Sequence, residues 1–303
     1  MIYYNRVSER GYAKINLHLD ITGRLEGGFH SVATVMQTVS IFDEVTVFDI
    51  EESSEARFTA SCNIEGVPTD EKNLAVKAAL AFCQKAGVSL RGKIDIQKNI
   101  PMAAGMAGGS ADGAAVLRAL NKALGDPLTV KELCSIGSSL GSDVPFCIVG
   151  GTAYADGKGD ILHPFPEMPA CVIVAACEGE GVSTPWAYRL LDGLYSDFTE
   201  NCGYESKNTE PLKSALASGN IKAVSDNMYN IFEEPVLKER PVASEIKRLM
   251  LEAGAVGAMM SGSGPSVFGI FACEKCGERA GALLESRGYK AHICRPSGKF
   301  DIK

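Results

Sequence analysis

Residues 99–121, NIPMAAGMAGGSADGAAVLRALN, set three glycines and a run of small residues directly before an apolar helical repeat. Gly105, Gly108 and Gly109 let the backbone turn sharply and approach a ligand closely. A helix starting just after them offers unpaired N–H groups and a partial positive charge, which together suit an anion. The lysine of the commonest phosphate loop, G-x-x-x-x-G-K-[ST], is missing, as is the G-x-G-x-x-G string of dinucleotide folds. The bland alternative is a flexible turn before an ordinary helix. Three further stretches bear on the choice. In AKINLHLDITGRLEGGFHSV (13–32), Lys14 interrupts the apolar alternation of Ile15, Leu17 and Leu19. It is either a solvated strand residue or a cation aimed at a phosphate or a reacting hydroxyl. The GGFH turn (27–30) could present a ring and an imidazole to a flat ligand, or be a hairpin turn with a half-buried Phe. In LGSDVPFCIVGG (140–151), Asp143 could cap a turn; beside a lysine it could orient or deprotonate a hydroxyl. Pro145 biases Val144 to extended geometry. In MMSGSGPSVFGIF (259–271), a turn of small residues between two strands suggests close approach of another group.

The elements that must hold these residues follow from periodicity. Alternation predicts strands over 45–49 and 93–97. A helix is expected over Asn73–Ala86, capped by Asp70 or Asn73, and another over Ser110–Leu124, where Val116, Leu117, Leu120 and Leu124 recur at helical spacing. Thr129 and Glu132 form a capping box for the next helix. Residues 151–162 read as a hairpin. The second half predicts strands at 171–177, 256–260, 267–272 and 290–294, with helices near 243–253 and 275–287. This mixture suggests α+β with antiparallel sheets.

Composition narrows the classes. The chain has 303 residues, and a net charge of -7 argues against nucleic acid and anionic membrane partners. The N-terminus shows no secretion signal, and no apolar run is long enough to span a bilayer, so a cytoplasmic protein is expected. Ten cysteines are scattered without a disulfide framework. Cys273-x-x-Cys276 lacks the second ligand pair of a zinc site, and no protein metal site is expected.

In this order the four stretches resemble the GHMP kinase superfamily, whose glycine loop has the form P-x-x-x-G-L-x-S-S-[AS]. The resemblance runs from Ala13 to Phe271. It implies a two-domain α+β architecture, here residues 1–160 and 161–303, with the active site in the interdomain cleft. It implies ATP as phosphoryl donor, with Mg²⁺ accompanying the nucleotide. AKINL with GFH and LGSDVPF resemble the branch that acts on a small cytidine-diphosphate substrate. Lys14 and Asp143 would then be the catalytic pair. The ATP phosphates would lie on Pro101, Met102, Ala103, Ala104, Gly105, Met106, Ala107, Gly108, Gly109, Ser110 and Ala111, with Asn73, Leu74 and Lys98 near adenine. Asn16 would position the substrate, His30 would hydrogen-bond cytosine, and Phe29 and Tyr188 would stack on it. Phe29 stands where Tyr is frequent, Met106 where Leu is usual, and Ala111 where a second Ser is frequent. Homoserine, mevalonate or sugar kinases of the superfamily, or a non-catalytic sensor on its fold, are the alternatives. Oligomeric state is left open.

Overall fold

β1 (Arg6–Arg24) is buried on both faces along its centre. Ala13, Ile15 and Leu17 point into a large apolar cluster, and the alternate residues Lys14, Asn16, His18 and Asp20 are also buried. Other parts of the chain must therefore cover the polar face. In the computed structural model, which describes residues 2–177, 181–195 and 207–302, that cover comes largely from the second half.

β1 pairs antiparallel with β2 (His30–Glu52), joined through the GGFH turn. There follow β3 (Arg57–Cys62), α1 (Leu74–Ala86), β4 (Leu90–Gln97), α2 (Gly108–Ala123), α3 (Val130–Leu140), α4 (Val144–Val149), β5 (Thr152–Asp156) and β6 (Ile161–Pro164). The second half adds β7 (Val172–Cys177), α5 (Thr184–Leu194), α6 (Glu210–Ser218), α7 (Ile221–Asp226), β8 (Tyr229–Asn230), α8 (Glu233–Glu239), α9 (Pro241–Glu252), β9 (Gly257–Met260), β10 (Val267–Phe271), α10 (Glu274–Ser286) and β11 (Lys290–Cys294). Among the described residues the first sheet runs β3-β4-β2-β1-β8, with β5 also on β2 and β6 on β5; the second runs β11-β7-β10-β9. Residues 161–164 and 229–230 thus extend the first sheet from beyond position 160, and the tail after β11 returns to it through bridges at Val39–Pro296 and Gly150–Lys299.

α2 lies against β1 because both surfaces are small. A Cβ on Gly11 would stand 2.6 Å from the Ala111 carbonyl oxygen. The expected elements are present, with local differences. α2 begins at Gly108, two residues before Ser110. Val144 is helical, not extended: Pro145 occupies the first turn of α4, where its missing N–H costs no intrahelical bond. Cys273 and Cys276 are joined as a disulfide at the start of α10, a local link where none was expected. Cys202 lies outside the described residues, as do 178–180 in the stretch leading to Tyr188. No helix among the described residues is long and apolar enough to cross a membrane.

Candidate active site

The glycine loop between β4 and α2 winds through left-handed backbone at Ala103 (φ 50°), Gly105 (φ 77°) and Ala107 (φ 60°). Ala111 N–H is bonded to the Ala107 carbonyl at 2.9 Å, so the N–H groups of Gly108, Gly109 and Ser110 precede the first helical bond. The small-residue turn of the second half braces the loop. Ser261 Oγ donates to Gly105 O at 3.1 Å, and Ser266 N–H donates to Ala104 O at 3.2 Å. Asn230 holds this turn in place, donating to the carbonyls of Met260 and Gly262 at 2.8 and 2.9 Å. The close approach expected of SGSGPS is to the glycine loop.

Lys14 is 4% exposed and faces the same cavity. Its ammonium donates to Asn16 Oδ1 at 2.7 Å and stands 3.7 Å from Asp143 Oδ2. Asn16 donates in turn to Thr34 Oγ1 at 2.9 Å, and the Thr34 hydroxyl donates to the His18 carbonyl. This relay fixes the Asn16 amide. Asp143 precedes α4 but makes no capping bond with its side chain, which is left to the cavity.

At the other end, His30 Nε2 lies 2.8 Å from Asp192 Oδ1, which also accepts from Arg24 Nη2 at 2.8 Å. The Tyr188 ring lies 4.6 Å from that of His30 and meets Phe232 edge-on at 4.9 Å. Burial, with smaller effects of Asp143 and Asp192, pushes the Tyr188 phenol up to about 12, so it stays neutral and keeps its proton. Phe29 is 60% exposed at the rim.

The Lys14–Asp143 pair, the start of α2 and the His30–Tyr188–Asp192 group border one cavity of about 780 Å³. It gathers Lys14, Asn16, Phe29, His30, Leu74, Ala103, Ala104, Gly105, Ala107, Gly108, Gly109, Ser110, Asp143 and Tyr188 from the expected set. Pro101, Met102, Met106, Ala111, Asn73 and Lys98 are not on its wall. Met106 and Ala111 are core residues, and Met102 is exposed. Asn73 caps α1, accepting from Ala75 N–H at 2.9 Å. The Lys98 ammonium is turned beneath α2, between Asp43 and Asp112. The sequence reading missed Asp192, Thr34, Lys158 and Arg189, all on the wall. Lys158 had one available signal, a cation between two glycines in a hairpin turn. Asp192 had none, standing 162 residues from His30. With Lys14, Lys158 and Arg189 against Asp143 and Asp192, the cavity carries a charge excess of one positive in a chain of net -7. That local sign favours anionic ligands.

The GHMP kinases N terminal domain model matches residues 73–151, and the GHMP kinases C terminal model matches 212–286. A 4-diphosphocytidyl-2-C-methyl-D-erythritol kinase of Clostridium perfringens is 41% identical over 278 residues, 92% of this chain and 93% of that one. The chain belongs to the 4-diphosphocytidyl-2-C-methyl-D-erythritol kinase family of GHMP kinases. A kinase of the same name from Caldicellulosiruptor saccharolyticus is 42% identical, covering 87% of each chain. A crystal structure of 4-(cytidine 5'-diphospho)-2C-methyl-D-erythritol kinase superposes with a TM-score of 0.77 at 29% identity, over 96% of this chain and all of the other. A homoserine kinase from Cytophaga hutchinsonii shares the fold, with a TM-score of 0.74 at 18% identity, over 99% and 96% of the two chains. The α+β two-domain architecture with its site in the cleft is that of the family, and ATP is the family's phosphoryl donor.

Proposed function

We propose that this chain transfers the terminal phosphoryl group of ATP to the 2-hydroxyl of 4-diphosphocytidyl-2-C-methyl-D-erythritol. The observation that carries this reading is the Lys14–Asp143 pair, 3.7 Å apart, on the same cavity as the open start of α2. The N–H groups of Gly108, Gly109 and Ser110 receive the nucleotide phosphates, and Leu74 borders the adenine side. Mg²⁺ would come with the nucleotide and would offset the charge of its phosphates. Asp143 orients the attacking hydroxyl and accepts its proton. The Lys14 ammonium stands 3.7 Å from that carboxylate and attracts the oxygens of the phosphoryl in flight. Asn16, locked by Lys14 and Thr34, positions the alcohol. This division is positioning plus electrostatics, as phosphoryl transfer requires. His30, Phe29 and Tyr188 take the cytosine. The reaction is cytoplasmic, where ATP is supplied.

The test is ADP release with Mg·ATP, offering the cytidylylated alcohol, homoserine and mevalonate in turn. The expected result is turnover of the first alone, with Asp143→Asn lowering kcat about 10²–10⁴-fold. Turnover of homoserine or mevalonate instead would discard the cytosine assignment. Saturable ATP binding without turnover of any would favour a sensor.

A further inference from the structure

Arg118 lies on α2, deep in the helix, and is 7% exposed. Its guanidinium makes two strong bonds to backbone carbonyls of other elements. Nη1 donates to Cys147 O on α4 at 2.7 Å, and Nη2 donates to Arg10 O on β1 at 2.6 Å. Cys147 follows Asp143 by one helical turn, and Arg10 precedes Lys14 by four residues on the same strand. One planar fork on the phosphate-loop helix thus ties the strand that carries Lys14 to the helix that follows Asp143. Burial lowers the Arg118 pKa, and the Glu9 carboxylate 3.5 Å away opposes the shift.

The C-terminal tail closes over this junction. Phe300 packs its ring 5.0 Å from the Arg118 guanidinium carbon and stacks on Tyr12 at 5.2 Å and 28°. Its N–H donates at 3.0 Å to the carbonyl of Val149, the last residue of α4. Gly150 (φ 70°) leaves space for the ring; a Cβ there would lie 2.8 Å from it. Three residues earlier, Ser297 N–H donates at 2.9 Å to the carbonyl of Thr38, the cross-strand partner of Lys14. The tail therefore holds the end of α4 and the strand facing Lys14 at once. Alongside it runs a groove of about 970 Å³, larger than the catalytic cavity, lined by Tyr12, Arg118 and Phe300 and lacking both Lys14 and Asp143.

We propose that Arg118 and Phe300 are positioning residues that set the spacing of Lys14 and Asp143 from behind the active site. The inference rests on the catalytic-pair reading above. None of the contacts described for Arg118 or Phe300 is with a cavity-wall side chain, so their removal acts on the chemical step and not on ligand contacts. Misplacement by about 1 Å can cost up to about 10²-fold in rate.

The experiment is steady-state kinetics on the full chain with Phe300→Ala, Phe300→Tyr, Arg118→Lys and Asp143→Asn, each with a melting curve. Phe300→Ala is expected to lower kcat about tenfold or more, with KM for Mg·ATP and for the cytidylylated alcohol held within about threefold. Arg118→Lys loses the fork and should behave alike. Phe300→Tyr keeps the ring and should restore kcat. In an Asp143→Asn background, Phe300→Ala should cost little more, since the group it positions is already gone. A folded Phe300→Ala enzyme with wild-type kcat, a loss carried in KM, or a full additional loss on Asp143→Asn would each overturn the proposal. If Phe300→Ala does not fold, Arg118→Lys gives the same decision. Wild-type turnover by Asp143→Asn would instead refute the pair assignment, a separate result.

Discussion

Lys98 meets two carboxylates with one ammonium: its Nζ lies 2.5 Å from Asp43 Oδ2 and 2.8 Å from Asp112 Oδ2. Asp43 is well provided for, since its other oxygen accepts the N–H groups of Asn99 and Ile100 at 2.6 and 2.8 Å. Asp112 is not; its Oδ1 is buried without a hydrogen-bond partner among the described residues. The proton belongs on Asp112. Burial raises its pKa from 3.8 to about 8, with Lys98 opposing and Asp43 reinforcing. A raised folded-state pKa means the folded protein holds the proton more tightly than the unfolded chain. Stability from this group is therefore full below 3.8 and is lost as pH rises to about 8. Asp112→Asn removes the titration and keeps the shape. Its melting temperature should gain on the wild type steadily across that window and run parallel to it above. Unchanged pH dependence in melts of the variant would show that Asp112 does not titrate there. The sequence could not show this cluster. Lys98 and Asp43 are 55 residues apart, and the resemblance sends Lys98 towards adenine without saying what its ammonium meets.

The glycine loop works as an element because its shape is enforced from outside. Gly105 has φ 77°, and a Cβ there would collide with the Ser261 carbonyl oxygen of the opposing turn. Left-handed backbone in a residue with a side chain costs on the order of 1–3 kcal/mol, and here the clash adds to it. Gly105→Ala should therefore shift the loop off the turn. The expected outcome is a KM for Mg·ATP raised about tenfold or more, the equivalent of the strain, with the KM for the alcohol substrate little changed. Equal rises in both constants would mean that the loop does not act on the nucleotide alone. Much at this scale was legible. The apolar spacing of Val116, Leu117 and Leu120 announced α2, and Thr129 with Glu132 makes the capping box it promised. What failed was the edge of elements. Glycine is a poor helix former, so Gly108 and Gly109 read as loop, although they are the first helical residues. Pro145 read as holding Val144 extended, although a first-turn proline is compatible with a helical Val144. That Lys14, Asp143 and much of the loop share a cavity wall was legible only through the family resemblance of their short motifs, and Pro101, Met102, Met106 and Ala111 of the loop lie off that wall. Arg118 and Phe300, which stand behind that wall, were not legible, because their meeting depends on a tail that returns 182 residues later.

At the scale of the whole chain, a division at residue 160 is a proposal about autonomy as well as position. The packing argues against autonomy. One continuous apolar cluster holds Ala13, Val39 and Leu120 from the first half with Ile173, Leu212, Phe268 and Cys294 from the second. β8 pairs with His18 and Leu19 at the edge of β1, and β6 closes β5. Arg295 and Ser297 of the tail pair with Ser40 and Thr38 on β2. A fragment of residues 1–160 would leave these strand edges open and turn core residues such as Val39 and Ile41 to water. Exposed edges and apolar surface favour association over folding. The fragment should be aggregated or lack a cooperative melt, whereas the full chain should melt with one transition by both far- and near-ultraviolet circular dichroism. Adding residues 161–303 as a separate chain should recover ATP-dependent turnover in part, since the second chain supplies β6, β8, the loop-bracing turn and the tail together. A monomeric 1–160 fragment with a sharp, reversible melt would instead make the first sheet a self-sufficient domain. The shared cluster would then be an interface between two finished domains, and the tail a clasp on a domain already folded.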